Sequence, residues 1–302
     1  MQLAMIGLGR MGANMTERLI GGGHQVVGYD LSADAIAAAV AVGATAADAL
    51  EDLVSKLDAP RAVWIMVPHG DPVDQTIAGL DPHLAKGDIV VDGGNTFYKE
   101  TVRRAAERSA AGHHLVDVGT SGGIWGLTEG YSMMVGGDPE PVERLRPVLE
   151  TLAPSPTTGW GHVGPSGAGH FAKMIHNGIE YGIMQALAEG FAVMQAKDAF
   201  DLDLAAVGEI WRYGSVVRSW LLDLTCQALA ENPDLADIAP YVPDSGEGRW
   251  AVAEAIDLDV AAPVMSLSLL QRIASRDPVS FGDRLVSAMR GQFGGHTVRR
   301  EG

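Results

Sequence analysis

One cysteine, Cys226, is all the chain has in 302 residues. A single thiol excludes an internal disulfide framework and fits a reducing compartment, so a cytoplasmic setting is expected. Long apolar runs are missing. None approaches the ~20 residues that span a bilayer, and the run at the N-terminus enters a glycine loop without the basic flank of a secretory signal. Cations are scarce, with 22 Lys and Arg against 38 Asp and Glu and a net charge of −16. That balance argues against nucleic acid or an anionic membrane as partner, because both need a basic patch. A small anionic ligand, needing only a local cluster of cations, stays compatible with it. Repeats, low-complexity tracts and blocks of like charge are absent, as is any metal-ligand cluster, so no metal is expected. The remainder is an ordinary globular composition, 47% hydrophobic and 20% charged, in a chain of a length that suggests about two domains.

The first half alternates strand and helix signals. An apolar strand over residues 2–6 runs into Gly7-Leu8-Gly9-Arg10-Met11-Gly12, then a helix to about Ile20, then a strand from Gln25 to Tyr29 that ends at Asp30. This is a GxGxxG fingerprint in a strand–loop–helix setting. Its glycines permit a tight turn and close approach of a pyrophosphate, and the helix N-terminus receives the negative charge. Asp30 stands where an acid binds the ribose hydroxyls. It would repel a 2′-phosphate, and no cation follows in Leu31-Ser32, so NAD is favoured over NADP. Further strands at Ala62–Val67, Ile89–Asp92 and His114–Val118, with amphipathic segments between them, predict a doubly wound parallel sheet. Ligands bind in the loops after strand ends in such sheets. Those loops are Val67-Pro68-His69-Gly70, Asp92-Gly93-Gly94-Asn95 and Gly119-Thr120-Ser121-Gly122-Gly123. Asn95 and Ser121 are the better candidates, being polar beside exposed backbone N–H groups, whereas His69 reads as a turn residue. Asp138-Pro139 is expected to cap a helix reaching about Leu152.

From Ser166 onward strand signals vanish. Helices are predicted at 166–196, about 203–213, 216–230, 249–257, 263–275 and 280–291, with a turn-rich loop from Asn232 to Gly248. The expected architecture is therefore α/β: a Rossmann domain over 1–165 and an all-α domain over 166–302 for substrate and dimerisation. The helix at 166–196 joins the two. On it Lys173, His176, Asn177, Glu180 and Tyr181 fall at i, i+3, i+4, i+7 and i+8 and share one side. Phe171, Met174, Ile175, Ile179, Ile183 and Met184 form an opposite apolar face fit for burial. Gly178 and Gly182 each cost about 1 kcal/mol relative to Ala inside a helix, which makes sense where another backbone or a ligand comes close. Arg249, Arg272 and Arg290 are cations in acidic or apolar surroundings, and the final Gly-Gly-His ending at His296 has no helical purpose.

These motifs together resemble the 6-phosphogluconate dehydrogenase family, the decarboxylating enzymes of the pentose phosphate pathway. GLGRMG, DGGNTFYKET around Asn95, SGG at 121–123, GHFAKMIHNGIEYG at the central helix and FGGH at the tail occur in order over nearly the whole chain. The first and third also occur across the wider β-hydroxyacid dehydrogenase family, whereas Lys, His-Asn, Glu-Tyr and the terminal Arg…Phe-Gly-Gly-His are more specific. The resemblance implies that Lys173, its neutral form favoured by a buried helix face, takes the proton from the substrate 3-hydroxyl as hydride leaves C3. Loss of carbon dioxide gives an enediol, which Glu180 protonates at C1. It further implies Asn95, Ser121, Gly122, Gly123, His176 and Asn177 as ligands of the carboxylate and hydroxyls. Tyr181, Arg249, Arg272, Arg290 and His296 would form a phosphate site, where an arginine fork binds bidentately. Cofactor contacts would come from the glycine loop, Asp30, Val67, Pro68 and Asn95.

Two departures stand out. The long enzymes of the family carry Lys-Trp-Thr where this chain has Arg249-Trp250-Ala251, and their helical domain is about twice as large. The chain resembles the short, NAD-preferring form. Its small helical domain should leave apolar faces for a homodimer or dimer of dimers built on the 166–196 helix, with the tail of one subunit completing its neighbour's site. A dehydrogenase of 3-hydroxyisobutyrate or a similar small acid would share Lys173, Asn177 and the SGG loop, but has no use for the arginine set or the tail. Imine-reducing relatives generally lack the lysine, and a non-catalytic NAD sensor would not keep both Lys173 and Glu180.

Overall fold

The computed structural model describes residues 1–277 and 280–294; His296 lies outside them. Two compact units divide the chain, residues 1–177 and 178–302. In the first, strands and helices alternate: β1 (Gln2–Ile6), α1 (Arg10–Gly21), β2 (Gln25–Tyr29), α2 (Ala33–Ala41), β3 (Thr45–Ala46), α3 (Leu50–Ser55), β4 (Ala62–Ile65) and α4 (Asp71–Leu80). There follow β5 (Ile89–Asp92), α5 (Tyr98–Ala110), β6 (His114–Ser121), α6 (Gly126–Glu129), β7 (Ser132–Gly136), α7 (Pro139–Leu152) and β8 (Trp160–Gly164).

The eight strands form one sheet in the order β3-β2-β1-β4-β5-β6-β7-β8. All neighbours are parallel except β6 and β7. The order reverses direction between β1 and β4, the switch point at which open α/β sheets bind ligands. Period-two alternation sorts side chains between the faces. Leu3, Met5 and Trp64 join a core with Met15, Leu19, Leu145 and Leu149 of α1 and α7. Ala4, Ile6, Val63 and Ile65 join another with Leu53, Val73, Ile77 and Leu80 from α3 and α4. Both faces are covered by buried apolar side chains, as a parallel sheet requires.

Helices α8 (Ala168–Gln195), α9 (Leu204–Trp211), α10 (Trp220–Glu231), α11 (Glu247–Asp257), α12 (Pro263–Ala274) and α13 (Phe281–Gly294) follow among the described residues. The first of these starts in unit 1 and continues into unit 2. A small core in unit 2 joins Phe191, Leu222, Leu229 and the free Cys226, whose thiol pKa is raised by burial.

Three expectations change. Strands β3, β7 and β8 lie outside the expected set, because Thr45-Ala46 is only two residues long and SMMVG and WGHVG are short and bounded by glycine. Asp138 does stand at the N-cap of α7, but its side chain accepts no capping bond there. The apolar face of α8 is also not wholly buried. Met174 is buried, but Ile179, Ile183 and Met184 are 53%, 42% and 40% exposed. The side taken up by packing is the one that carries Lys173, Asn177 and Tyr181.

Candidate active site

The three fingerprint glycines do different things. Gly7 has φ +90°, and a Cβ there would sit 2.6 Å from the Met66 carbonyl oxygen. A Cβ on Gly12 would lie 1.9 Å from the Gly7 oxygen, so this glycine lets helix and loop pack. Gly9, the N-cap of α1, would meet nothing within 4 Å. The fold does not need a glycine at that point, but a pyrophosphate approaching the free N–H groups of α1 would. Arg10 and Met11 begin the helix, with Arg10 exposed. Asp30 is fixed across the loop: its Oδ2 accepts the Leu8 N–H at 2.6 Å and its Oδ1 the Ser32 N–H at 2.8 Å. These features fit a dinucleotide. Val67 and Pro68 follow β4, which pairs with β1 across the switch point.

Asn95 is exposed in the loop after β5. Asp92, fully buried, shapes that loop by accepting from the Gly94 N–H and the Thr96 hydroxyl. Lys173 is placed by β6. Asp117 accepts the Gly167 N–H at 2.7 Å and the His170 N–H at 2.8 Å, capping α8 from a neighbouring strand. Gly119 lets the helix come close, since a Cβ there would stand 2.4 Å from the Lys173 Cβ. Lys173 is 8% exposed and packs two residues along β6 from Ser121, where Gly122 and Gly123 begin. The segment after these glycines is tied to the cofactor helix: Asn14 donates to the Ile124 carbonyl, and Arg18 to those of Leu127, Thr151 and Ala153. The His176 ring nitrogen Nδ1 lies 3.0 Å from Asn177 Oδ1.

In unit 2, Glu180 is half-buried and Tyr181 buried. A Cβ on Gly248 would stand 2.5 Å from the Tyr181 ring, and the Arg272 guanidinium stacks on that ring at 3.4 Å. Among the described residues the Tyr181 hydroxyl has no hydrogen-bond partner. Gly178 meets Met265 and Ala251, and Gly182 meets Val264, so both helical glycines admit close neighbours. Arg249 lies at the start of α11, but its fork is held by Asp244 at 3.0 and 3.1 Å. That bond and a second one from Arg276 keep the Asp244 carboxyl below the usual range. Packing thus gathers Tyr181, Arg249 and Arg272, while Arg290 is exposed on α13. Sequence reasoning missed Asp117, Asp92, Asp244 and Glu247. Only an acid set between two glycines, Gly246 and Gly248, could have flagged the last. Among the described residues no three His, Cys, Asp or Glu gather as metal ligands, and no helix is long and apolar enough to cross a membrane.

A doubly wound sheet with an open glycine loop at its switch point and an acid fixed over that loop defines a dinucleotide-binding protein. Residues 2–161 match the NAD binding domain of 6-phosphogluconate dehydrogenase, and residues 169–279 match the 6-phosphogluconate dehydrogenase C-terminal domain. The chain belongs to the 6-phosphogluconate dehydrogenase family. It is 47% identical over 302 residues to the NAD(+)-dependent, decarboxylating 6-phosphogluconate dehydrogenase of Haloferax volcanii, covering 100% of this chain and 99% of that one. An enzyme of the same description from Bacillus subtilis is 35% identical over 90% of this chain, which spans 61% of its length. Plasmodium falciparum 6-phosphogluconate dehydrogenase superposes with a TM-score of 0.84 at 26% identity, over 100% of this chain and 66% of that one.

Proposed function

We propose that this chain catalyses the oxidative decarboxylation of 6-phosphogluconate to ribulose 5-phosphate and carbon dioxide, with NAD as the cofactor. The observation that carries the reading is the buried Lys173, seated beside β6 two residues from Ser121 by Gly119 and by the Asp117 cap. When bound, NAD supplies the hydride acceptor. Lys173 removes the proton of the 3-hydroxyl, so that the C3 carbonyl can form. The resulting β-keto acid breaks its C1–C2 bond, with the new carbonyl taking up the electron pair. Glu180 then delivers a proton to the carbon that has lost carbon dioxide. General acid–base transfer of this kind contributes about 10²–10⁴-fold. Asn95, Ser121, Gly122, Gly123, His176 and Asn177 hold the carboxylate and hydroxyls. Tyr181 and Arg272, with Arg249 released from Asp244, receive the phosphate, and Arg290 and His296 join them from a second subunit. Asp30, held by two backbone N–H groups, binds the ribose hydroxyls and disfavours a 2′-phosphate.

The working unit is a homodimer or a dimer of dimers, supported by the apolar side chains left exposed along α8, α12 and α13. A cytoplasmic location agrees with the single buried thiol. The test is NAD reduction with 6-phosphogluconate, followed alongside carbon dioxide release. One carbon dioxide per NADH is expected. Reduction without release removes the decarboxylating assignment, and no reduction removes the substrate.

A further inference from the structure

Glu247 is the first residue of α11 and only 2% exposed, yet neither carboxyl oxygen has a hydrogen-bond partner among the described residues. Burying a carboxylate without donors is among the most costly things a fold can do, so such groups are kept where a donor arrives. Its surroundings indicate where that donor comes from. Glu247, Gly248, Ala251 and Glu254 form the buried face of α11. Gly248 meets the ring of Tyr181, and Ala251 meets Gly178 one turn earlier on α8, so the two helices run antiparallel. Glu247 directly precedes Gly248, the residue against the Tyr181 ring, whose buried hydroxyl also has no partner among the described residues. Two unmet polar groups thus lie on neighbouring residues of one helix contact, and Arg272, proposed for the phosphate, stacks on the Tyr181 ring.

We infer that Glu247 is a specificity-determining residue whose carboxylate accepts a hydroxyl of the bound sugar acid. The group recognised is the hydroxyl on the carbon next to the phosphorylated one. This rests on the proposed reaction. A phosphate dianion offers no proton to a carboxylate, whereas a neighbouring hydroxyl does. None of these arginines pairs with Glu247 itself: Arg249 and Arg276 share Asp244, and Arg272 lies on Tyr181. Glu247 so selects for a polyhydroxylated chain rather than for negative charge alone.

The experiment compares 6-phosphogluconate with its analogue lacking that one hydroxyl, in the wild-type enzyme and in Glu247→Gln and Glu247→Ala, with KM for NAD and sedimentation measured in parallel. The wild type should prefer the full substrate by at least about tenfold in kcat/KM, as a site built to bond a hydroxyl does. Glu247→Ala should shrink that preference to under about threefold, leaving the KM for NAD unchanged. Glu247→Gln, which keeps the shape and one acceptor, should fall between. A wild type indifferent to the missing hydroxyl overturns the inference without any variant. So does undiminished preference in Glu247→Ala, and so does a Glu247→Gln protein whose only defect is weaker self-association, since its donor would then belong to a partner subunit. Failure of the wild type to reduce NAD with 6-phosphogluconate would instead sink the proposed reaction.

Discussion

Lys173 is a long side chain held almost out of solvent, and two residues of β6 put it there. Gly119 removes the Cβ that would strike it, and Asp117 pins the first turn of its helix. The lysine stands out in sequence because it shares one stripe with an amide and an acid at helical spacing. Its supports do not, since nothing in HLVDVGTSGG distinguishes an acid that caps a distant helix from one facing water. The same holds for Arg249, whose partner Asp244 lies in a loop that offers no periodicity. If Lys173 is the base, Lys173→Met lowers kcat by at least about 10²–10⁴-fold. NAD affinity, read by fluorescence titration, stays within about twofold of wild type, since the substitution leaves the glycine loop intact. Comparable turnover in that variant would remove the assigned role.

At the scale of elements, α8 is where sequence and structure agree on position and differ on orientation. Periodicity placed its ends within about two residues, but Met184, eleven residues beyond Lys173, falls on the stripe of Lys173 and not opposite it. It could not say which stripe meets the rest of the chain, because amphipathicity reports that two faces differ, not what lies opposite each. The glycines were a better guide: Gly178 and Gly182 sit where α11 and α12 press against the helix. Strands buried on both faces, such as VWI and IVVD, were equally legible, whereas β7 and β8 were hidden by their glycines. The start of α8 depends on the Asp117 carboxylate, which satisfies two backbone N–H groups that helix geometry leaves orphaned. Asp117→Ala buries those donors unpaired and should cost about 2–4 kcal/mol in urea unfolding. Asp117→Asn, retaining one acceptor oxygen, should lose less. A cost below about 0.5 kcal/mol for the alanine variant would mean the cap is dispensable.

At the scale of the whole molecule, what stands out is apolar surface without a cover. Ile179, Ile183, Met184 and Val193 on α8, and Val264, Leu267 and Leu270 on α12, are all at least 40% exposed. Single exposed apolar residues need no explanation, but a row of them on neighbouring helices of one small unit does. A second copy of the same face is a self-complementary occupant, as two-fold interfaces require. Burying one isoleucine contributes roughly 1.5–3 kcal/mol. In a two-fold dimer each substitution acts twice, so Ile183→Asp should weaken association by at least about 100-fold. Sedimentation should then move from a species of twice the 31.7 kDa chain mass to the monomer. Activity should fall with it at dilute concentration and recover on concentrating, if the tail of one subunit completes the site of the next. Mixing Arg290→Ala with Lys173→Ala protomers separates that claim from dimerisation itself. In a mixed dimer one site draws its lysine from the first chain and its arginine from that of the second, so activity should return to a fraction of wild type. A wild-type protein that stays monomeric overturns the dimer, and a mixed dimer without activity overturns sharing between subunits.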